Sequence, residues 1–145
     1  IVARSDLDVA PEKALGHYTH EKNPVACAAA SATIDVILSG GLAERSAKLG
    51  LRAMERLSSL KQSVEYIGDV RGRGLLFGVD LVLDHDAKTP AIDEADRIMY
   101  ACLEMGLSFK VSHGSFLTLT PPLTIDETEL DAALTILEKA FKKTF

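Results

Sequence analysis

The segment from Leu75 to Leu83 constrains the fold of this chain most, because it is almost continuously apolar. A run of this kind is typical of a strand in the centre of a sheet. Three glycines, Gly68, Gly72 and Gly74, precede it and follow a short apolar run over residues 64–67. We therefore expect a glycine-punctuated turn that leads from a short strand into a long central strand.

Two helices are predicted before these strands. Asn23-Pro24 combines a favourable N-cap with a residue suited to the first helical position, and Gly40-Gly41 is a stop signal. These signals predict a long connecting helix over residues 23–40. Apolar residues from Leu42 to Leu60 recur at helical spacing and predict a second helix.

The region after the central strand predicts a helix, a hairpin and a closing helix. A third helical stripe ends at Gly106, and two alternating segments, residues 107–112 and 116–120, flank the turn residues His113-Gly114-Ser115. Thr124 and Glu127 have the spacing of a capping box. An apolar stripe follows them and predicts the closing helix, with Leu130, Ala133, Leu134, Leu137 and Phe141 on its buried face.

This order of elements predicts an α+β fold, a two-layer sandwich with a small, mostly antiparallel sheet and helices packed on one face. We expect residues 1–22 to form an extended arm and residues 23–145 to form one small domain that opens with the connecting helix. Position 1 is Ile rather than Met, and we expect the chain to be part of a longer protein.

Composition excludes several functional classes. Sixteen basic and twenty-one acidic side chains give a net charge of -5, and no block of five like charges occurs, so nucleic acid is not an expected partner. No apolar run approaches the roughly 18 residues of a membrane span. We expect a cytoplasmic location and no membrane partner. Cys27 and Cys102 form no CxxC pair, and both are predicted to be reduced core residues.

Two segments have chemical interpretations that compete with structural ones. The glycines and arginines of residues 68–75 resemble a phosphate loop, but they precede a strand rather than a helix, so a structural turn is favoured. Arg71 or Arg73 facing an anion or a partner surface is the alternative. His113 is expected to be exposed, and Asp80 to bind neighbouring backbone or a cation.

The polar stretch before the first helix is the other segment of interest. His17 and His20 lie three residues apart, but no third ligand follows at a recognisable spacing, so no metal site is predicted. The hydroxyl of Thr19 is suited to hydrogen-bonding a phosphate, and an ordinary loop is the structural alternative. The residues show no nucleophile and base that could be paired with confidence.

Five segments carry a resemblance to a known family. They are Tyr18-Thr19-His20, Asn23-Pro24-Val25, residues 67–75, residues 78–81 and residues 121–125. Together they resemble the C-terminal small domain of class III aminotransferases, which are pyridoxal phosphate (PLP) enzymes of fold type I. The Tyr-Thr-His form is similar to the dialkylglycine decarboxylase branch and to neighbouring members that act on amines.

The resemblance implies that Thr19 hydrogen-bonds the PLP phosphate of the neighbouring subunit in a homodimer and that Tyr18 lines the same site. It also implies that the catalytic lysine lies upstream, in a motif that this chain lacks. No catalytic residue is therefore expected here, and the chain alone should be inactive.

One position departs from the family pattern. Many relatives carry an arginine three residues before the Pro-Pro pair to bind the substrate α-carboxylate, and Thr118 occupies that place. The implied substrate is then an amine whose anionic group lies elsewhere, such as an ω-amino acid, an amino-phosphonate or an amino-phosphate. Thr118 and Arg73 are the candidate substrate-contacting residues.

The function implied by the resemblance is transamination between an amine or ω-amino acid and a 2-oxo acid. The alternatives are a decarboxylase or a phospho-lyase on the same fold, or a non-catalytic interaction module.

Overall fold

The structure is a computed structural model that describes residues 4–7, 12–13, 19 and 23–145. The chain divides into two units, Ile1–Val36 and Ile37–Phe145. The boundary between them falls inside the first helix. Most of the predicted arm over residues 1–22 lies outside the described residues, so that domain boundary stays a prediction.

In the first unit, the described residues form a 3-10 turn at Ser5–Leu7 and most of helix α1, Pro24–Ser39. The side chain of Asn23 caps α1, because its Oδ1 accepts hydrogen bonds from the backbone N–H groups of Val25 at 2.9 Å and Ala26 at 3.4 Å. Within the described part of the chain, no residue of this helix is buried. Cys27 is exposed on α1, so its assignment to the core was wrong.

The second unit contains the remaining elements. Within the described residues these are α2 Leu42–Lys61, β1 Ile67–Arg73, β2 Leu76–Asp84, β3 Thr89–Pro90, α3 Ile92–Glu104, β4 Lys110–Ser112, β5 Phe116–Leu119 and α4 Glu127–Thr144. The strands form one antiparallel sheet in the order β1-β2-β5-β4, with β3 paired to β2. The α+β prediction is confirmed, and β2 is central as its apolar sequence predicted.

The helices cover one face of this sheet. α2 and α3 contact the strands, and α4 packs against both of these helices. The strand residues that face the helices are almost fully buried: Phe77, Val79, Leu81, Leu117 and Leu119. Because side chains alternate along a strand, their neighbours in sequence point to the opposite face, which we call the outer face.

The predicted turn over the glycines 68–74 was wrong for two of them. Gly68 and Gly72 lie within β1, and only Gly74, with a φ of 56°, lies in the turn to β2. A Cβ at residue 72 would collide with Phe77 on the paired strand, and a Cβ at residue 68 would lie 2.8 Å from a Val82 methyl carbon. These glycines therefore allow a close cross-strand approach rather than a turn.

At the end of the chain, the predicted hairpin and closing helix are present, but the closing helix is capped by a different residue. The hairpin of β4 and β5 is confirmed, with His113 and Gly114 in the turn at φ values of 52° and 82°. The capping box of α4 is formed by Asp126 and Glu129, not by Thr124 and Glu127. The predicted box was two residues early because Asp126, in extended backbone geometry, is the residue that directly precedes the first helical turn.

No single helix among the described residues is long and apolar enough to cross a membrane. α1 and α2 have the length and apolar composition of a membrane span only when the two helices are counted together across the bend between them.

Candidate functional site

The predicted phosphate-binding segment is described at one residue. Thr19 is exposed, so its hydroxyl is accessible to a group outside this chain. Tyr18, His17 and His20 lie outside the described residues. Within the described ranges, no three His, Cys, Asp or Glu side chains come together as a metal site.

The outer face of the sheet brings several predicted residues together. The strand register places Arg71 beside Gly78 and Gly78 beside Thr118. Lys110 follows in the same row, on the edge strand opposite Thr118. Arg73 lies one step further along β1, opposite Leu76. The polar side chains of four strands thus share the surface that the helices leave open.

Arg71 is held in place by acids and by an aromatic ring. Its Nη1 lies 2.9 Å from the Asp69 carboxylate and 3.2 Å from the Asp80 carboxylate. Its guanidinium lies 4.5 Å above the centre of the Phe116 ring. The hydrogen bond from Arg71 lowers the pKa of Asp69, and the hydrogen bond to Asp69 raises the pKa of Arg71. The prediction that Asp80 binds a cation is confirmed.

Gly78 makes room for this stack. A Cβ at residue 78 would lie 2.5 Å from the Phe116 ring and closer still to the backbone oxygen of Leu117. The ring of Phe116 therefore lies over Gly78, directly beneath Arg71. Sequence reasoning missed Phe116, although the alternation over residues 116–120 already placed it on the same face as Thr118.

Thr118 and Arg73 line the same cavity, of about 360 Å³, on this outer face. The other lining residues are Arg71, Gly72, Leu76, Phe77 and Phe116. The hydroxyl of Thr118 donates a hydrogen bond of 2.9 Å to the hydroxyl of Ser112 on β4. The two candidate substrate-contacting residues, which are 45 positions apart in sequence, thus line one cavity, with β2 between their strands.

A second cavity, of about 520 Å³, lies on the other side of Arg71 and includes Asp80, His85, Lys88 and His113 in its lining. His113 is exposed, as predicted. The Nε2 atom of His85 is 2.6 Å from the backbone oxygen of Glu65. Among the described residues that line this cavity, we find no nucleophile hydrogen-bonded to a general base.

The lysines matter for any covalent chemistry. Every lysine that the structure describes is exposed. A lysine that acts as a nucleophile needs desolvation or a neighbouring cation to lower its pKa. The described part of the chain therefore offers no buried amine, and the place of the catalytic lysine stays a prediction.

The family model "Aminotransferase class-III" matches residues 8–141. The chain belongs to the class-III aminotransferase family. The resemblance drawn from the sequence motifs is confirmed at the level of the family, and the dialkylglycine decarboxylase branch stays a prediction. The match begins before Thr19 and ends within α4, so it includes every candidate site residue.

Two curated relatives, an ammonia-lyase and a racemase, are similar to this chain. The (R)-1-hydroxy-2-aminoethylphosphonate ammonia-lyase of Vibrio splendidus is 47% identical over 99% of this chain and 30% of the relative. The leucine/methionine racemase of Thermococcus litoralis is 44% identical over 97% of this chain and 32% of the relative. The chain thus spans about a third of the length of these relatives.

Solved transaminases share the fold. An amine transaminase from an uncultivated Pseudomonas species, in its PLP-bound form, is 32% identical with a TM-score of 0.82 over 90% of this chain and 30% of that chain. The PMP-bound aminotransferase of Vibrio fluvialis is 34% identical with a TM-score of 0.80 over 92% of this chain and 30% of that chain.

Proposed function

We propose that this chain is the C-terminal part of a PLP-dependent class-III aminotransferase that transfers an amino group between an amine or ω-amino acid and a 2-oxo acid. The observation that carries the proposal is the family match over residues 8–141, together with the fold shared with a PLP-bound amine transaminase. The same match supports catalysis in a longer protein over a non-catalytic interaction module.

The described residues fit one part of a PLP site. PLP, when bound, draws electrons from the bonds around the carbon that carries the amino group. Thr19 presents an exposed hydroxyl, which is the donor that a phosphate needs. We assign Thr19 to the phosphate of PLP in the neighbouring subunit and Tyr18 to the lining of the same site. We place the covalent lysine in another part of the protein, as the family resemblance implies.

The proposal includes a homodimer in the cytoplasm that binds neither nucleic acid nor membrane. Cys27 and Cys102 are both free thiols, which is typical of a reducing compartment. The net charge of -5 opposes binding to phosphate backbones and to anionic lipid surfaces.

The test uses the full-length protein that contains this chain, loaded with PLP. We expect it to convert an amine and pyruvate into a carbonyl product and alanine in equal amounts, measured by chromatography. Release of ammonia without alanine would indicate an ammonia-lyase instead. Exchange of the α-proton of an amino acid with loss of optical activity would indicate a racemase. Either of these results contradicts transamination.

The role of Thr19 is tested by PLP affinity. Thr19→Ala removes one hydrogen bond to a charged group, so we expect the Kd of PLP to rise about tenfold. Thr128→Ala is the matched control, because Thr128 is also an exposed threonine and lies on α4. Equal PLP affinity in the two variants would contradict the assignment of Thr19.

A further inference from the structure

Two arginines that are two residues apart on β1 have different electrostatic surroundings. Asp69 and Asp80 are both within ion-pair distance of Arg71, and the Phe116 ring covers the face of its guanidinium. The hydrogen-bonding capacity and the charge of Arg71 are therefore largely used inside the protein. Arg71 is a structural residue of the outer face.

The charge of Arg73, in contrast, is not used by any residue that the structure describes. It is exposed, and within the described part of the chain it has no hydrogen-bond or ion-pair partner. Its neighbour across the sheet is Leu76, whose side chain is apolar and 60% exposed. Arg73 therefore carries a positive charge that no described side chain compensates.

The cavity that Arg73 shares with Thr118 is suited to a small anion-bearing molecule. Its volume of about 360 Å³ falls within the usual range of ligand pockets, and Leu76 and Phe116 supply apolar walls. The cavity is open to solvent, so the exposed guanidinium of Arg73 would hold an anion by direct charge-assisted hydrogen bonds. Among its described lining residues there is no acid, so the charge of Arg73 is left for a ligand.

Thr118 cannot supply this charge itself. Its hydroxyl already donates to Ser112, and a threonine makes no bidentate, charge-assisted contact with a carboxylate. The planar guanidinium of Arg73 can make that contact with a carboxylate or with two oxygens of a phosphonate. The guanidinium that can make this bidentate contact therefore comes from β1 rather than from position 118 on β5.

We infer that Arg73 is a specificity-determining residue that binds the anionic group of the amine substrate in the cavity beside Thr118. This inference rests on the proposed function. The substrate class is then an amine whose carboxylate or phosphonate is separated from the reacting amino group. Arg73 on β1 is separated from Thr118 on β5 by strand β2.

The experiment compares three amines in the full-length, PLP-loaded protein. β-Alanine carries a carboxylate, 2-aminoethylphosphonate carries a phosphonate, and propylamine carries no anion. We expect Arg73→Gln to raise the KM of both anionic amines at least tenfold and to leave the KM of propylamine and all kcat values within about twofold. Arg73→Lys should restore part of the affinity, because the charge returns without the planar fork.

Lys110→Gln is the matched control, since Lys110 is an exposed cation on the same face and lies directly opposite Thr118. A rise in the KM of the anionic amines in Lys110→Gln but not in Arg73→Gln would overturn the inference. An equal rise in the KM of all three amines in Arg73→Gln would also overturn it, because the loss of a merely structural residue would affect propylamine too.

A direct binding measurement separates this inference from the proposed function. If the wild-type protein converts none of the three amines, transamination of these amines fails, and calorimetry with methylphosphonate decides the inference. At least tenfold weaker binding in Arg73→Gln, with unchanged binding in Lys110→Gln, supports Arg73 as the anion-binding residue. Equal binding by the wild type and Arg73→Gln, or no binding by the wild type, overturns it.

Discussion

At the scale of single residues, the outer face depends on the absence of a side chain at Gly78. The Arg71 and Phe116 stack needs this space, and so does the backbone of β5, because a Cβ at residue 78 would collide with the Leu117 carbonyl oxygen as well as with the ring. A flexible side chain can move aside, but a strand carbonyl in a sheet ladder cannot do so without breaking the pairing.

We predict that Gly78→Ala lowers the free energy of unfolding by about 2–3 kcal/mol. Gly106→Ala is the comparison, because nothing lies within 4 Å of a Cβ there and only the positive φ of 91° is strained, which costs about 1 kcal/mol. Urea denaturation measures both. If Phe116→Leu in the Gly78→Ala background restores full stability, the carbonyl collision is not the cause.

Cys102 is predicted to be chemically inert and to make stability dependent on pH. Burial raises the pKa of its thiol from 9.0 to about 11. Because the unfolded thiol ionises first, its contribution to stability is complete below pH 9 and is lost progressively as the pH rises to 11.

We expect the stability loss between pH 9 and pH 11 to be about 2–3 kcal/mol smaller in Cys102→Ala than in the wild type. Urea denaturation at each pH measures it. In the folded chain a thiol reagent should modify the exposed Cys27 and spare Cys102, which is 0% exposed. Equal labelling rates for both thiols would contradict this account.

At the scale of elements, α2 and α4 are joined by ion pairs of very different exposure. The Arg56 side chain, 27% exposed, contacts Glu138 at 2.8 Å, Thr135 at 3.1 Å and the backbone oxygen of Asp131 at 3.2 Å. The Lys48 and Glu127 pair, at 3.3 Å, connects the same helices with its Lys side chain 79% exposed.

Double-mutant cycles should separate these two pairs. We predict a coupling energy of about 1–2 kcal/mol between Arg56→Ala and Glu138→Ala, because the pair is partly desolvated and belongs to a network. The solvent-exposed Lys48 and Glu127 pair should give about 0–0.5 kcal/mol. Equal coupling energies would show that burial does not control these contacts.

The N-terminus of α4 is the second element-scale test. Asp126→Ala removes the side chain that accepts the Glu129 N–H bond of 2.7 Å, so we expect a loss of about 1 kcal/mol in unfolding free energy. Thr124→Ala should change it by less than about 0.3 kcal/mol, because Thr124 is exposed and precedes the cap. Thermal or urea denaturation measures both variants. A larger loss of unfolding free energy in Thr124→Ala than in Asp126→Ala would indicate that Thr124 caps the helix, as the sequence suggested.

At the scale of the whole molecule, the assignment of Thr19 makes cofactor binding and dimerisation mutually dependent. A ligand that binds the dimer and not the separated subunits stabilises the dimer by mass action. In the full-length protein, saturating PLP should therefore lower the dimer dissociation constant, measured by analytical ultracentrifugation. Thr19→Ala should reduce this effect, and an identical effect of PLP in both proteins would contradict phosphate binding in trans.

Local signals in the sequence determined the helices, the central strand and the hairpin. Asn23 caps α1, the apolar run over residues 75–83 contains most of β2, and the alternation over residues 107–120 holds β4 and β5. Helix caps, helical periodicity and alternation act between neighbours in sequence, so they can be read from the sequence alone. The α+β class followed from the order of these elements.

Contacts between residues distant in sequence decided the rest. Gly68 and Gly72 look like turn residues, but they lie in β1, which pairs with β2, and there they leave room for Val82 and Phe77. The same is true of the candidate site. Arg71 and Arg73 look equivalent in the sequence. Only the folded sheet gives them different surroundings, because it brings Asp80 and Phe116 to Arg71 and pairs Arg73 with the apolar Leu76. Cross-strand register sets these surroundings, and no local pattern encodes it.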